Sequence, residues 1–112
     1  MDIDFNNKTF SLITNSEKGS VNSNTTFLFK QEGELVTADY HGGTIVYGKI
    51  IAIYKNRKLD MRYQCLTTDN LLRAGKADAI VSITEFGKIK LHLKWEWLDK
   101  KNESGFSEYL EN

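Results

Sequence analysis

Proline is absent from this chain, and with it any residue that would deny a donor to a hydrogen-bonded ladder or fix a kink in it. A single cysteine, Cys65, excludes an internal disulfide. Charge of one sign is also missing. Fifteen Lys and Arg balance fifteen Asp and Glu, so the chain has no net field with which to gather nucleic acid or an anionic membrane surface. No apolar run approaches the roughly 20 residues that span a bilayer. The start, MDIDFNNKTF, lacks both the basic opening and the apolar stretch of a secretory signal, which leads to the expectation of a soluble cytoplasmic protein. With 112 residues, 40% of them hydrophobic, there is material for one core and too little for two.

What is present is alternation. Ile89, Leu91, Leu93, Trp95 and Trp97 interleave with Lys88, Lys90, His92, Lys94 and Glu96, the pattern of a strand with one buried face. Shorter stretches of the same kind recur, separated by turn residues. Residues 1–7 are polar and read as a flexible N-terminal segment ahead of one domain over 8–110. Lys8 to Ile13 alternates as a first strand, and TNSEKGSVNSN from Thr14 to Asn24 is rich in turn formers and reads as the longest loop.

Turn positions set a trial register. A turn at Glu32 and Gly33 places Phe29 opposite Val36 and Phe27 opposite Ala38. One at Gly42 and Gly43 places Tyr40 opposite Ile45 and Ala38 opposite Tyr47. A turn at Asn56 and Arg57 pairs Tyr54 with Leu59, Ala52 with Met61 and Ile50 with Tyr63. The inward set then switches from odd to even numbers within one strand, so a β-bulge is expected at Gly48 and Lys49. A three-residue loop at Glu85, Phe86 and Gly87 pairs Ile83 with Ile89, Val81 with Leu91, Ala79 with Leu93 and Ala77 with Trp95. The stretch from Thr68 to Gly75 reads as a strand with a second bulge at Gly75. Ser104 and Gly105 form a turn before a last strand, Phe106 to Leu110, that closes the sheet.

Three stretches together resemble a known family: TFLFKQEGELVTADYHGGTIVYGKIIA, LDMRYQCLTTDNLLRAGKA and LKWEWLDKKNESGFSEY. The chain is similar to small bacterial β-barrel proteins of unknown function that share a Gln before a turn glycine, an aromatic before a glycine pair, a Trp-Glu-Trp stretch and a Ser-Gly tail. Some members carry the label N-acetylglutamate synthase. Acetyl-CoA chemistry calls for backbone amides cradling a pyrophosphate at a helix N-terminus. The only glycine pair here, Gly42 and Gly43, sits in a hairpin turn, so the residues do not support that label. The expected fold is all-β: a single small antiparallel up-and-down barrel of about eight strands, of the calycin or avidin-like kind, because closure removes exposed strand edges.

Catalytic and metal-binding groups are sparse. Cys65 falls on the inner face with Met61 and Tyr63, where a thiol packs as a small hydrophobe. Asp39 and His41 share a strand face without a third ligand at a recognisable spacing, and no cofactor motif is present. No catalytic residue, metal site, cofactor or nucleic-acid contact is expected. Two readings from different classes stay open. In the first, the barrel holds a small, partly apolar molecule, lined by Phe27, Phe29, Tyr40, Tyr63, Trp95 and Trp97, whose hydroxyl and indole groups orient it. The same aromatics serve equally well as a filled core. In the second, the chain is a structural or interaction protein that forms a homodimer through an outward apolar stripe of Val46, Ile51 and Ile53.

Overall fold

The computed structural model describes residues 3–15, 24–99 and 103–112. Eight strands follow one another along the chain: β1 (Lys8–Asn15), β2 (Thr26–Glu32), β3 (Leu35–Gly42), β4 (Ile45–Lys55), β5 (Lys58–Thr67), β6 (Leu72–Ile83), β7 (Ile89–Trp97) and β8 (Ser104–Glu111). Each pairs antiparallel with the next, and β8 returns to β1, so the sheet is a closed barrel with no free edge. The expected all-β up-and-down barrel of about eight strands is the fold found. Alternation explains its interior, since β7 buries Ile89, Leu91, Leu93, Trp95 and Trp97 and leaves the residues between them facing outward.

Two hairpins have the register that their turns predict. Asn56 and Arg57 both have positive φ, as a type I′ turn requires, and Tyr54, Ala52 and Ile50 face Leu59, Met61 and Tyr63. Across the loop from β6 to β7, Ile83, Val81, Ala79 and Ala77 face Ile89, Leu91, Leu93 and Trp95.

Elsewhere the register differs from the trial one. The first hairpin turns at Gly33 and Glu34, which puts Phe29 opposite Ala38 and Phe27 opposite Tyr40. The slip is two residues, so the inward face is unchanged. In the second hairpin Gly42 faces Ile45, Tyr40 faces Gly48, and Ala38 faces Ile50. The change of parity in β4 is real, but the extra residue is Val46, between Ile45 and Tyr47, rather than Gly48 or Lys49. Gly48 makes room for a ring instead. A Cβ there would lie 2.1 Å from Cζ of Tyr40, whose ring rests on the glycine. Gly75 likewise stands in an unbroken register opposite Tyr63, with no bulge. Ser104 and Gly105 belong to β8 and pair with Glu96 and Trp95. The expected loop from Thr14 to Asn24 loses Thr14 and Asn15 to β1, and its residues 16–23 lie outside those described.

The segment before β1 departs from the expectation of a loose N-terminus. Ile3 and Phe5 are buried, Phe5 completely. The Phe5 amide donates to Oε1 of Gln31 at 2.8 Å, and the Asn7 amide donates to the carbonyl of Phe29. These residues lie across the end of the barrel where β1 begins, and Phe5 completes a cluster with Phe10, Phe29 and Tyr54.

Candidate functional site

The opposite end of the barrel is built differently. There β2, β3, β5, β6, β7 and β8 bring Phe27, Tyr40, Tyr63, Cys65, Arg73, Trp95, Trp97, Ser107 and Tyr109 onto the inner face. Phe27 is sandwiched between the rings of Tyr40 and Tyr109, each 4.7 Å away between centroids and nearly parallel. Tyr63 meets Trp97 edge-on at 5.6 Å, and Trp97 lies 6.1 Å from Trp95. Both Tyr40 and Tyr63 lie over cross-strand glycines, Gly48 and Gly75, an arrangement that a side chain at either glycine would prevent.

Polar atoms accompany these rings. The Trp95 indole donates from Nε1 to Oγ of Ser107 at 2.8 Å, fully buried. The Tyr40 hydroxyl faces Cys65 and reaches the carbonyl of Gln64 at 3.5 Å. Burial pushes the phenols of Tyr40, Tyr63 and Tyr109 well above their ordinary range. Burial also raises the Cys65 thiol, against the opposing hydrogen bond from Tyr40. At neutral pH these groups are uncharged donors and acceptors, suited to orienting a guest.

Among the described residues, Arg73 is the one charged side chain of this inner cluster. Its guanidinium lies 3.9 Å from the centroid of the Trp97 ring. It donates from Nε to Oδ2 of Asp99 at 3.2 Å and from NH2 to Oε1 of Glu103 at 3.0 Å, and its side chain is only 12% exposed. Its pKa, opposed by burial, is raised by these two carboxylates.

Of the six aromatics proposed from sequence as a lining, Phe27, Tyr40, Tyr63, Trp95 and Trp97 come together here. Phe29 does not, because it packs with Phe5 and Phe10 at the other end. Sequence reasoning missed Tyr109, Ser107 and Arg73. Alternation from β8 would have found the first two. Running the β6 alternation back from Ala77 through Gly75 reaches Arg73, but the bulge expected at Gly75 broke that alternation.

The outward stripe is in two pieces. Ile51 and Ile53 are 57% and 55% exposed, with Leu35 cross-strand from Ile53. Val46 sits apart in the bulge at the start of β4, beside Tyr47. Asp39, weighed with His41 as a ligand pair, accepts from the Tyr47 hydroxyl at 2.5 Å and from Lys49 at 3.1 Å. An open groove on the outside of β5 to β8 is lined by Asp60, Arg62, Lys76, Asp78, Lys94 and Glu96, a wall of alternating charges unsuited to an apolar guest. Glu96 pairs there with Lys76 at 3.1 Å.

No curated protein and no solved structure matches the chain. The family model described as avidin-like protein matches residues 3–112, and nothing in that match supports an acetyl-transfer label. Closed eight-stranded barrel and family match coincide over almost the whole length, and the chain therefore belongs to the avidin-like family.

Proposed function

We propose that this chain is a small-molecule-binding barrel with a single mouth, at the end where Tyr40, Tyr63, Trp95 and Trp97 gather. The observation that carries this reading is the asymmetry of the interior. One end is filled by Phe5, Phe10 and Phe29 with Tyr54 and is covered by the N-terminal segment, while the other concentrates rings that have polar atoms and leaves Tyr63 half-buried at the rim. Aromatic faces with a few convergent polar groups are the usual lining of a site for a partly apolar molecule. Membership of the avidin-like family is consistent with it.

Native mass spectrometry of the protein purified without added ligand tests the proposal. A retained small molecule supports it, and an empty monomer counts against it. The same spectrum bears on a second reading, favoured by the exposed cluster of Leu35, Ile51 and Ile53, in which the outer face joins two copies. An empty dimer would shift attention to that face.

A further inference from the structure

Arg73 occupies space that a guest would want. We propose that Arg73 is a tethered occupant of the mouth: its guanidinium covers a face of Trp97 and thereby holds the resting barrel in a state of low affinity for flat guests. The inference rests on the reading of this end as a ligand site.

The strand that carries Arg73 otherwise presents small and aliphatic side chains inward, Gly75, Ala77, Ala79 and Val81. Gly75 and Ala77 leave room on this wall, and the Tyr63 ring fills the part above Gly75. Arg73 fills the part in front of Trp97. Its guanidinium carbon lies over the ring at 3.9 Å, on the face where a flat ligand would stack, while Asp99 and Glu103 hold the group at 3.2 and 3.0 Å. Those carboxylates and the ring compensate the lost hydration of a charge this sheltered. Two flat groups cannot share one ring face at van der Waals distance. A guest that stacks on this face of Trp97 must therefore draw the guanidinium off it, and the arginine competes from a tether, at high effective concentration.

The chemistry of the place also defines what would fill it once it is vacant. A ring face flanked by two carboxylates suits a planar cation, with a neutral planar amide second. Benzamidine and benzamide are matched probes of those two classes. The chain has two tryptophans, Trp95 and Trp97, and both stand in the mouth, so intrinsic fluorescence reports on the site itself.

The experiment is a fluorescence titration of wild type and Arg73→Ala with each probe. The expected result is that Arg73→Ala binds benzamidine at least about tenfold more tightly than wild type does, a difference of ~1.4 kcal/mol, and binds benzamide less tightly than benzamidine. A double variant, Asp99→Asn with Glu103→Gln, keeps the arginine but loosens its hold, and is expected to gain affinity for benzamide over wild type. It also decides the matter should Arg73→Ala not fold, since no gain there overturns the inference. A role confined to stapling the chain near Asp99 and Glu103 would lower the melting temperature in both variants and leave probe affinity unmoved. Equal binding by wild type and Arg73→Ala overturns the tethered occupant while the ligand-binding reading stands. Binding by neither variant overturns it too, and an empty native mass spectrum of Arg73→Ala, in which the tethered occupant is gone, would remove the underlying reading separately.

Discussion

The two ends of the barrel solve the same packing problem with different materials. At the closed end, Phe5, Phe10, Phe29 and Tyr54 meet at ring separations of 4.8 to 6.3 Å, and Phe5 arrives from outside the sheet to complete the cluster. At the mouth, rings lie on glycines, the Trp95 indole is hydrogen-bonded to Ser107, and a guanidinium is stacked among carboxylates. Apolar packing that needs no partners for polar atoms supplies stability without directional demands. Packing with many polar handles is harder to satisfy but can recognise something. On the proposed reading stability and recognition are separated along the barrel axis, and the contrast can be tested one end at a time.

The largest effect is expected at the closed end. Phe5→Ala removes a fully buried ring and should cost about 3–5 kcal/mol in a denaturation experiment. Because Trp95 and Trp97 are at the far end, the native emission maximum should stay where it is in wild type. A loss below about 1 kcal/mol would mean that the N-terminal segment contributes little, and the idea of a sealed end would fall with it.

That segment shows where sequence reading succeeded and where it stopped. Ile3 and Phe5 alternate, yet they stand among Asp2, Asp4, Asn6 and Asn7, and their burial depends on Gln31 and Phe29, residues distant in sequence that accept hydrogen bonds from the segment. Period-two alternation was sufficient for the run of strands and for most of their inward faces, and the Asn56–Arg57 turn fixed a register outright. Alternation tells inside from outside but says nothing of depth along the axis. Phe27 and Phe29 are two positions apart on one face, and the register found across β2 and β3 sends Phe27 to Tyr40 and Phe29 to the Phe5 cluster. Gly48 and Gly75 misled for a related reason. A glycine in a strand signals either a bulge or a close approach by a neighbour, and here both are close approaches by a tyrosine ring.

Those glycines give the middle-sized effect and a comparison within the mouth. Gly48→Ala places a methyl against the Tyr40 ring, with three ring carbons 2.1 to 2.5 Å from the new atom. Tyr40 is only 4% exposed and stacked on Phe27, so it cannot yield freely. A cost of about 1–3 kcal/mol is expected, and it should shrink when Tyr40 is also replaced by Ala, which denaturation of the single and double variants would measure. Gly75→Ala meets Tyr63 at 2.6 Å, but Tyr63 is half-buried at the rim and can turn toward solvent. Its cost should be the smaller of the two, and the reverse order would place the rigid part of the mouth on β5 and β6 instead.

The smallest effect belongs to the rim of the closed end and sharpens the contrast by showing how little its polar groups contribute. Burial alone would raise the Glu111 carboxyl, but the Ile89 amide at 3.0 Å and the Lys8 ammonium at 3.3 Å outweigh it and hold the group below its ordinary range. A lowered folded pKa makes a contribution that is fully present above the unfolded value, about 4.3, and is lost as pH falls through the folded one. Glu111→Gln keeps an acceptor for Ile89 and loses the charge facing Lys8, so it should cost roughly 1 kcal/mol at pH 7. Thermal melts of both proteins from pH 7 down to about 2 should converge as the wild-type carboxyl is protonated, because that pairing then no longer distinguishes them. Curves that stay parallel throughout would show that the Glu111 charge contributes nothing at this end, leaving its stability to Phe5 and the rings around it.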